Sequence, residues 1–129
     1  MGDVALLTVT RDPEGKSGIL NIDAGLILML NFAMSSDKVT VHTEENIYFM
    51  VGTLKYWNKV LKCSGYRFEI VDRSNSMNLD KVKVLDKTLK IAYFDRKITN
   101  KSKRCMIASC RFKEVVDQIV SFNPTITIA

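Results

Sequence analysis

The chain has 129 residues, 47% of them hydrophobic and 26% charged, with a net charge of +5. That length and balance read as a single compact domain, 1–129, with a real core, and argue against a disordered tail or a fibrous repeat. The longest apolar run, Ala24–Met34, is too short for a bilayer, which takes about 20 residues; no basic segment precedes an apolar stretch at the start, so neither membrane insertion nor a signal peptide is expected.

Val4–Thr10 reads as a strand, and Arg11–Gly18 is a turn in which Pro13 presets φ and glycines take the corners. Ile19–Ile22 returns as a short strand. Asp23 is then placed to cap a helix through Met34 that is apolar almost all round, the pattern of a helix buried in a core or a subunit interface. Lys38–His42 alternates as a strand. Thr43 is positioned to cap a second helix, with Glu44 and Glu45 at its positive end and Ile47, Val51, Leu54, Trp57 and Leu61 at helical spacing. A hairpin turning at Glu45-Asn46 is the rival reading. Gly65 follows as the stop.

Tyr66–Val71 and Thr88–Phe94 read as strands and Ser74–Asn78 as a loop. Arg96–Arg104 is a basic connection, and Cys105–Ala108 is either a partner strand or a first helical turn. Phe112, Val115, Val116, Ile119 and Phe122 line one face of a last helix that stops before Pro124, and Thr125–Ile128 adds an edge strand. The order predicts an α/β or α+β fold: a mixed sheet of about five strands, partly parallel through β-α-β crossovers, with about three helices packed on it.

Charge is segregated along the chain. Residues 55–113 hold sixteen Lys and Arg against five Asp and Glu, a net +11, whereas residues 1–54 carry a net −4. Such an asymmetry produces a one-sided field that attracts a polyanion or an acidic protein face. Two constellations stand out. Lys55, Lys59 and Lys62 follow i, i+4, i+7 and stack along one helix face. Arg96, Lys97, Lys101, Lys103 and Arg104 crowd one connection, which becomes a hairpin tip if the flanking strands pair. Tyr56, Tyr66, Tyr93 and Phe94 lie among these charges, and rings so placed stack either on bases or in the core.

Catalytic and cofactor patterns are incomplete. Gly15-Lys16-Ser17 echoes a phosphate loop, but Thr10 stands where the earlier glycine belongs and an extended segment follows. His42 is the sole histidine, with Cys63, Cys105 and Cys110 too far apart for a paired zinc knuckle. An odd, small number of cysteines fits free thiols in a cytoplasmic, intracellular setting. Asp72, Asp86 and Asp95 fall near strand ends without a signature spacing. No metal or cofactor is expected. The leading expectation is a small non-enzymatic binding protein whose basic half meets nucleic acid through phosphates. The alternatives are an adaptor, inhibitor or regulatory subunit for an acidic protein surface, and a phosphate-handling hydrolase using Asp72, Asp86, Asp95 or His42. The apolar Asp23–Met34 helix is the candidate homo-oligomer surface.

Overall fold

The structure is a computed structural model and describes residues 4–129. Its main unit is a seven-stranded sheet built from β1 (Leu6–Thr10), β2 (Ile19–Asp23), β3 (Met29–Ala33), β4 (Lys38–His42), β5 (Ile47–Met50), β6 (Phe68–Asp72) and β7 (Asn75–Asn78). The spatial order is β2-β1-β5-β4-β3-β7-β6, and every pair is antiparallel. A second sheet, in the order β10-β9-β8-β11, joins β8 (Val84–Asp86), β9 (Ile91–Tyr93), β10 (Arg104–Met106) and β11 (Thr127–Ile128). Helix α1 (Leu54–Cys63) and helix α2 (Ser109–Phe122) complete the fold, with short 3₁₀ turns at Ala24–Leu26 and Leu79–Lys81.

The expected mixed sheet of about five strands under three helices is therefore corrected. Among the described residues there are eleven strands in two sheets and two α-helices, and the only parallel pair is β8 with β11. Three local readings, together with β8 (Val84–Asp86) in a stretch where the sequence suggested no element, account for the difference. The apolar Asp23–Met34 segment is a 3₁₀ turn followed by β3, not a helix, so no helix exists there to carry a homo-oligomer interface. Its hydrophobicity arises because β3 lies deep in the sheet with cores on both faces. Ile27 and Leu30 join one core, and Leu28 and Met29 join the other. A short, continuous apolar run of this kind has no period that separates strand from helix.

The second correction lies at Thr43–Met50. A hairpin is the observed structure, with its turn at Glu44-Glu45, one residue before the expected Glu45-Asn46: β4 and β5 pair with His42 opposite Ile47, and Thr43 and Asn46 close the turn. The helix begins a full segment later, where the Thr53 hydroxyl accepts from Tyr56 N at 3.0 Å. The third correction is Ser74–Asn78, which pairs with both β3 and β6 as β7 despite its polar sequence. Its polar side chains are satisfied inside: Ser76 bonds to Asn58 of α1, and Asn78 Nδ2 donates to the Ile27 carbonyl at 3.0 Å.

The two cores lie on opposite sides of the large sheet. On one side α1 sets Leu54 and Leu61 against Leu30, Val39, Val41 and Phe68. On the other, α2 and the small sheet set Phe112, Val115, Ile119, Leu85 and Cys105 against Met29, Val71 and Met77. The last helix stops before Pro124 and an edge strand follows, as read from the sequence; the strand is Thr127–Ile128, and its partner β8 was not foreseen.

The entry to α1 depends on Gly52. Its φ is +129°, and a Cβ there would sit 2.5 Å from Trp57 Nε1, the atom that donates to the Val51 carbonyl at 2.8 Å. Gly52→Ala is expected to cost about 2 kcal/mol or more, through both backbone strain and displacement of the indole. Urea unfolding followed by Trp57 fluorescence tests this; a variant as stable as the parent would show that the loop relaxes freely.

Candidate functional site

Strands β9 and β10 pair antiparallel, with Tyr93 opposite Arg104 and Ile91 opposite Met106. Residues 94–103 therefore close a hairpin and carry Arg96, Lys97, Lys101 and Lys103, with Arg104 at its base. Hydrogen bonds shape the loop from within. Thr99 N donates to Ser102 Oγ at 2.8 Å, Ser102 N donates back to the Thr99 carbonyl at 3.1 Å, and Lys101 N donates to Thr99 Oγ1 at 3.2 Å. Arg104 braces the same turn. Its Nη2 donates to the Thr99 carbonyl at 3.1 Å and its Nε to the Ser102 carbonyl at 3.3 Å, while the guanidinium lies 5.1 Å from the Tyr93 ring centroid.

Lys103 anchors the loop to the large sheet by donating from Nζ to the Asn46 carbonyl, 2.9 Å away in the β4–β5 turn. Burial lowers its pKa. Arg96, Lys97 and Lys101 are left exposed. Among the described residues the ion pairs are Lys16–Glu14, Lys62–Glu69 and Arg67–Asp80, so none neutralises this loop. The five cations thus divide into two that hold the loop and three that point outward with their charge unspent.

The second basic set is placed elsewhere. Lys55, Lys59 and Lys62 are exposed along α1, and Lys62 pairs with Glu69 at 2.7 Å. Because α1 covers one face of the large sheet and the small sheet covers the other, the two basic sets lie on opposite sides and form no common patch. The interleaved aromatics are mostly structural. Tyr93 and Phe94 are buried and Tyr66 is half-buried; Tyr56 is exposed, edge-on to Trp57 at 5.2 Å.

The other candidate groups have structural partners. The Asp12 carboxylate accepts from Lys16 N at 2.9 Å and Ser17 N at 2.8 Å, and also from the Ser17 hydroxyl. The Ser17 hydroxyl and backbone bonds hold its pKa down at about 2. Of the amides that would cradle a phosphate in Gly15-Lys16-Ser17, those of Lys16 and Ser17 are thus already filled by the protein's own carboxylate and that of Gly15 by the Asp12 carbonyl. Asp86 accepts from Thr88 N and Leu89 N, and Asp72 from Arg73 N, so both shape turns. Asp95 is exposed.

Cys105 is buried, and that burial, followed by the nearby Asp72 charge, pushes its thiol up to about 12; Cys63 and Cys110 are exposed. No three His, Cys, Asp or Glu side chains among the described residues gather as a metal-binding group. No helix among these residues is long and apolar enough to cross a membrane.

His42 is half-buried at the end of β4, and its Nε2 lies 3.3 Å from Asn31 Oδ1. Sequence reasoning located the cationic loop by its crowding of charge but missed its framework. Thr99, Ser102 and Asn46 have no distinctive spacing; only the pairing of β9 with β10 and the packing of the turn bring them into contact.

No family model matches the chain, and no curated protein matches it. Among solved structures it is similar to the LytTr DNA-binding domain of a methyl-accepting/DNA response regulator from Bacillus cereus. The two are 15% identical with a TM-score of 0.66, and the match covers 94% of this chain and 100% of that one. The likeness establishes a shared fold.

Burial, and then the Lys103 charge, lower the His42 pKa from 6.5 to about 4. The unfolded chain therefore takes up this proton at higher pH than the folded one. The stability His42 contributes is complete above about pH 6.5 and is lost as pH falls toward 4, on the order of 2 kcal/mol between pH 7 and 5. In His42→Asn this part of the stability–pH slope is expected to vanish. An unchanged slope in urea titrations at the two pH values would remove His42 as its source.

Proposed function

We propose that the chain is a non-enzymatic DNA-binding module whose 94–104 hairpin loop meets the phosphate backbone. The observation that carries this reading is the loop itself: Arg96, Lys97 and Lys101 exposed, and without an ion pair among the described residues, on a turn prearranged by Thr99, Ser102 and Arg104. A cationic tip already ordered before binding loses little further conformational freedom when a phosphate arrives. The similar solved structure bears the description of a DNA-binding domain, which supports nucleic acid as the partner over an acidic protein. Lys103 and Arg104 act in this reading as positioning residues, because their donors already serve the Asn46, Thr99 and Ser102 carbonyls.

Lys55, Lys59 and Lys62, across the sheet, are assigned a minor share. A duplex seated against the loop lies on the other side of the large sheet from them, and Lys62 is partly neutralised by Glu69. The hydrolase reading is not supported by the disposition of Asp72 and Asp86, each engaged in its own turn.

Fluorescence anisotropy with labelled duplex DNA across a salt series tests the proposal. The protein should bind saturably, with affinity falling steeply as salt rises. Changing Arg96, Lys97 and Lys101 together to Ala is expected to weaken binding at low salt by about tenfold or more and to flatten the salt slope by about 2–3 units. Lys55→Ala with Lys59→Ala should change affinity by less than about threefold. The reverse pattern would move the interface to α1. Absence of saturable binding at low salt would reassign the cationic loop to an acidic protein partner.

A further inference from the structure

Strands β1 and β5 are neighbours through one pair only, Thr10 opposite Phe49. Continuing that register would bring Thr8 opposite Val51, but the rung is not made. The sheet parts there and leaves a cavity of about 350 Å³ with Thr8 and Val51 on its walls. Its lining is dominated by Pro13, Ile19, Phe49, Val51 and Trp57, and the charged groups that reach it are Lys38 and Glu14. None of these residues belongs to the cationic hairpin loop.

Both walls are fixed in advance. On one side the Asp12 carboxylate holds the Pro13–Ser17 turn through the Lys16 and Ser17 amides. On the other, Trp57 donates to the Val51 carbonyl and packs against Gly52, where no side chain fits. A cavity of this size with a largely apolar lining and few charged groups has the character of a small-molecule site. Its charges decide the ligand. Glu14 is paired outward with Lys16 at 3.4 Å. Lys38 is half-buried, has no carboxylate within ion-pair distance among the described residues, and reaches only the Ser36 carbonyl at 3.5 Å. The unbalanced charge at the cavity is therefore a single cation beside two aromatic side chains, Phe49 and Trp57.

We infer that this cavity binds a small organic monoanion with a flat apolar body, its rings between the Trp57 and Ile19 walls and its acidic group toward the Lys38 ammonium. Apolar burial supplies the affinity and the lone ammonium supplies the preference for an anion.

Trp57 is the only tryptophan, so energy transfer from it to a bound fluorophore reports on this cavity. The probes are 8-anilinonaphthalene-1-sulfonate and N-phenyl-1-naphthylamine, which share their rings and differ by the sulfonate. The wild-type chain is expected to bind the sulfonate saturably, one to one, and at least about fivefold tighter than the neutral amine. Lys38→Met should remove that preference while retaining the neutral probe. Ile19→Glu changes a side chain that is 80% exposed, so folding is not at stake; it should weaken the sulfonate several-fold more than the amine. Transfer that does not saturate, or equal affinity for the two probes in the wild-type chain, overturns the inference. So does a sulfonate preference that survives both substitutions.

Discussion

Strand β3 has no solvent face along its buried half, and the rest of the architecture follows from that. Ile27 and Leu30 require an apolar cover on one side, and Leu28 and Met29 require another on the opposite side. Helix α1 supplies the first, and the small sheet with α2 supplies the second. A two-sided sheet of this kind is a three-layer arrangement in its β3-β7-β6 part. Toward β1 and β2 one face is open, which leaves Leu6 and Ile19 in water. The same constraint separates the charges. Any base on α1 is kept a sheet's thickness from any base on the small sheet, however close they stand in a simple count along the chain.

How much of this was legible in the sequence depended on whether a residue's neighbours were local. The β1–β2 hairpin could be read because Pro13, Gly15 and Gly18 punctuate two short apolar-rich runs, and α2 could be read because its apolar residues keep helical spacing up to Pro124. Residues Met29–Ala33 were unreadable as a strand because burial on both faces erases alternation, leaving a run that fits either period. The start of α1 was misplaced because Ile47 and Val51 happen to continue the spacing of Leu54, Trp57 and Leu61 backward into β5. For the site, the cationic loop was visible as composition, and the hairpin on which it sits was foreseen as a condition. Its separation from Lys55 and Lys59 was not visible, because that depends on which face of a sheet each element covers.

The turns at residues 12–17 and 99–102 use a similar economy. In each, short polar side chains take up amides that the turn would otherwise leave to water: Asp12 alone in the first, Ser102 and Thr99 in the second. A carboxylate does this in the Pro-Gly turn, and hydroxyls do it in the loop that carries the exposed Arg96, Lys97 and Lys101. The difference matters electrostatically. An anionic brace inside the basic loop would cancel part of its field, whereas Ser102 and Thr99 order it without adding charge.

Asn78 joins the halves of the molecule through one buried amide. Its Nδ2 holds the Ile27 carbonyl, its Oδ1 accepts from Asp80 N in the second 3₁₀ turn, and its own N donates to the Leu28 carbonyl. The entry to β3 and the exit from β7 toward the small sheet thereby share a fastening. Amide protons of the two turns should consequently exchange with solvent in a single cooperative opening, so that the large sheet and the small one behave as one unfolding unit instead of two.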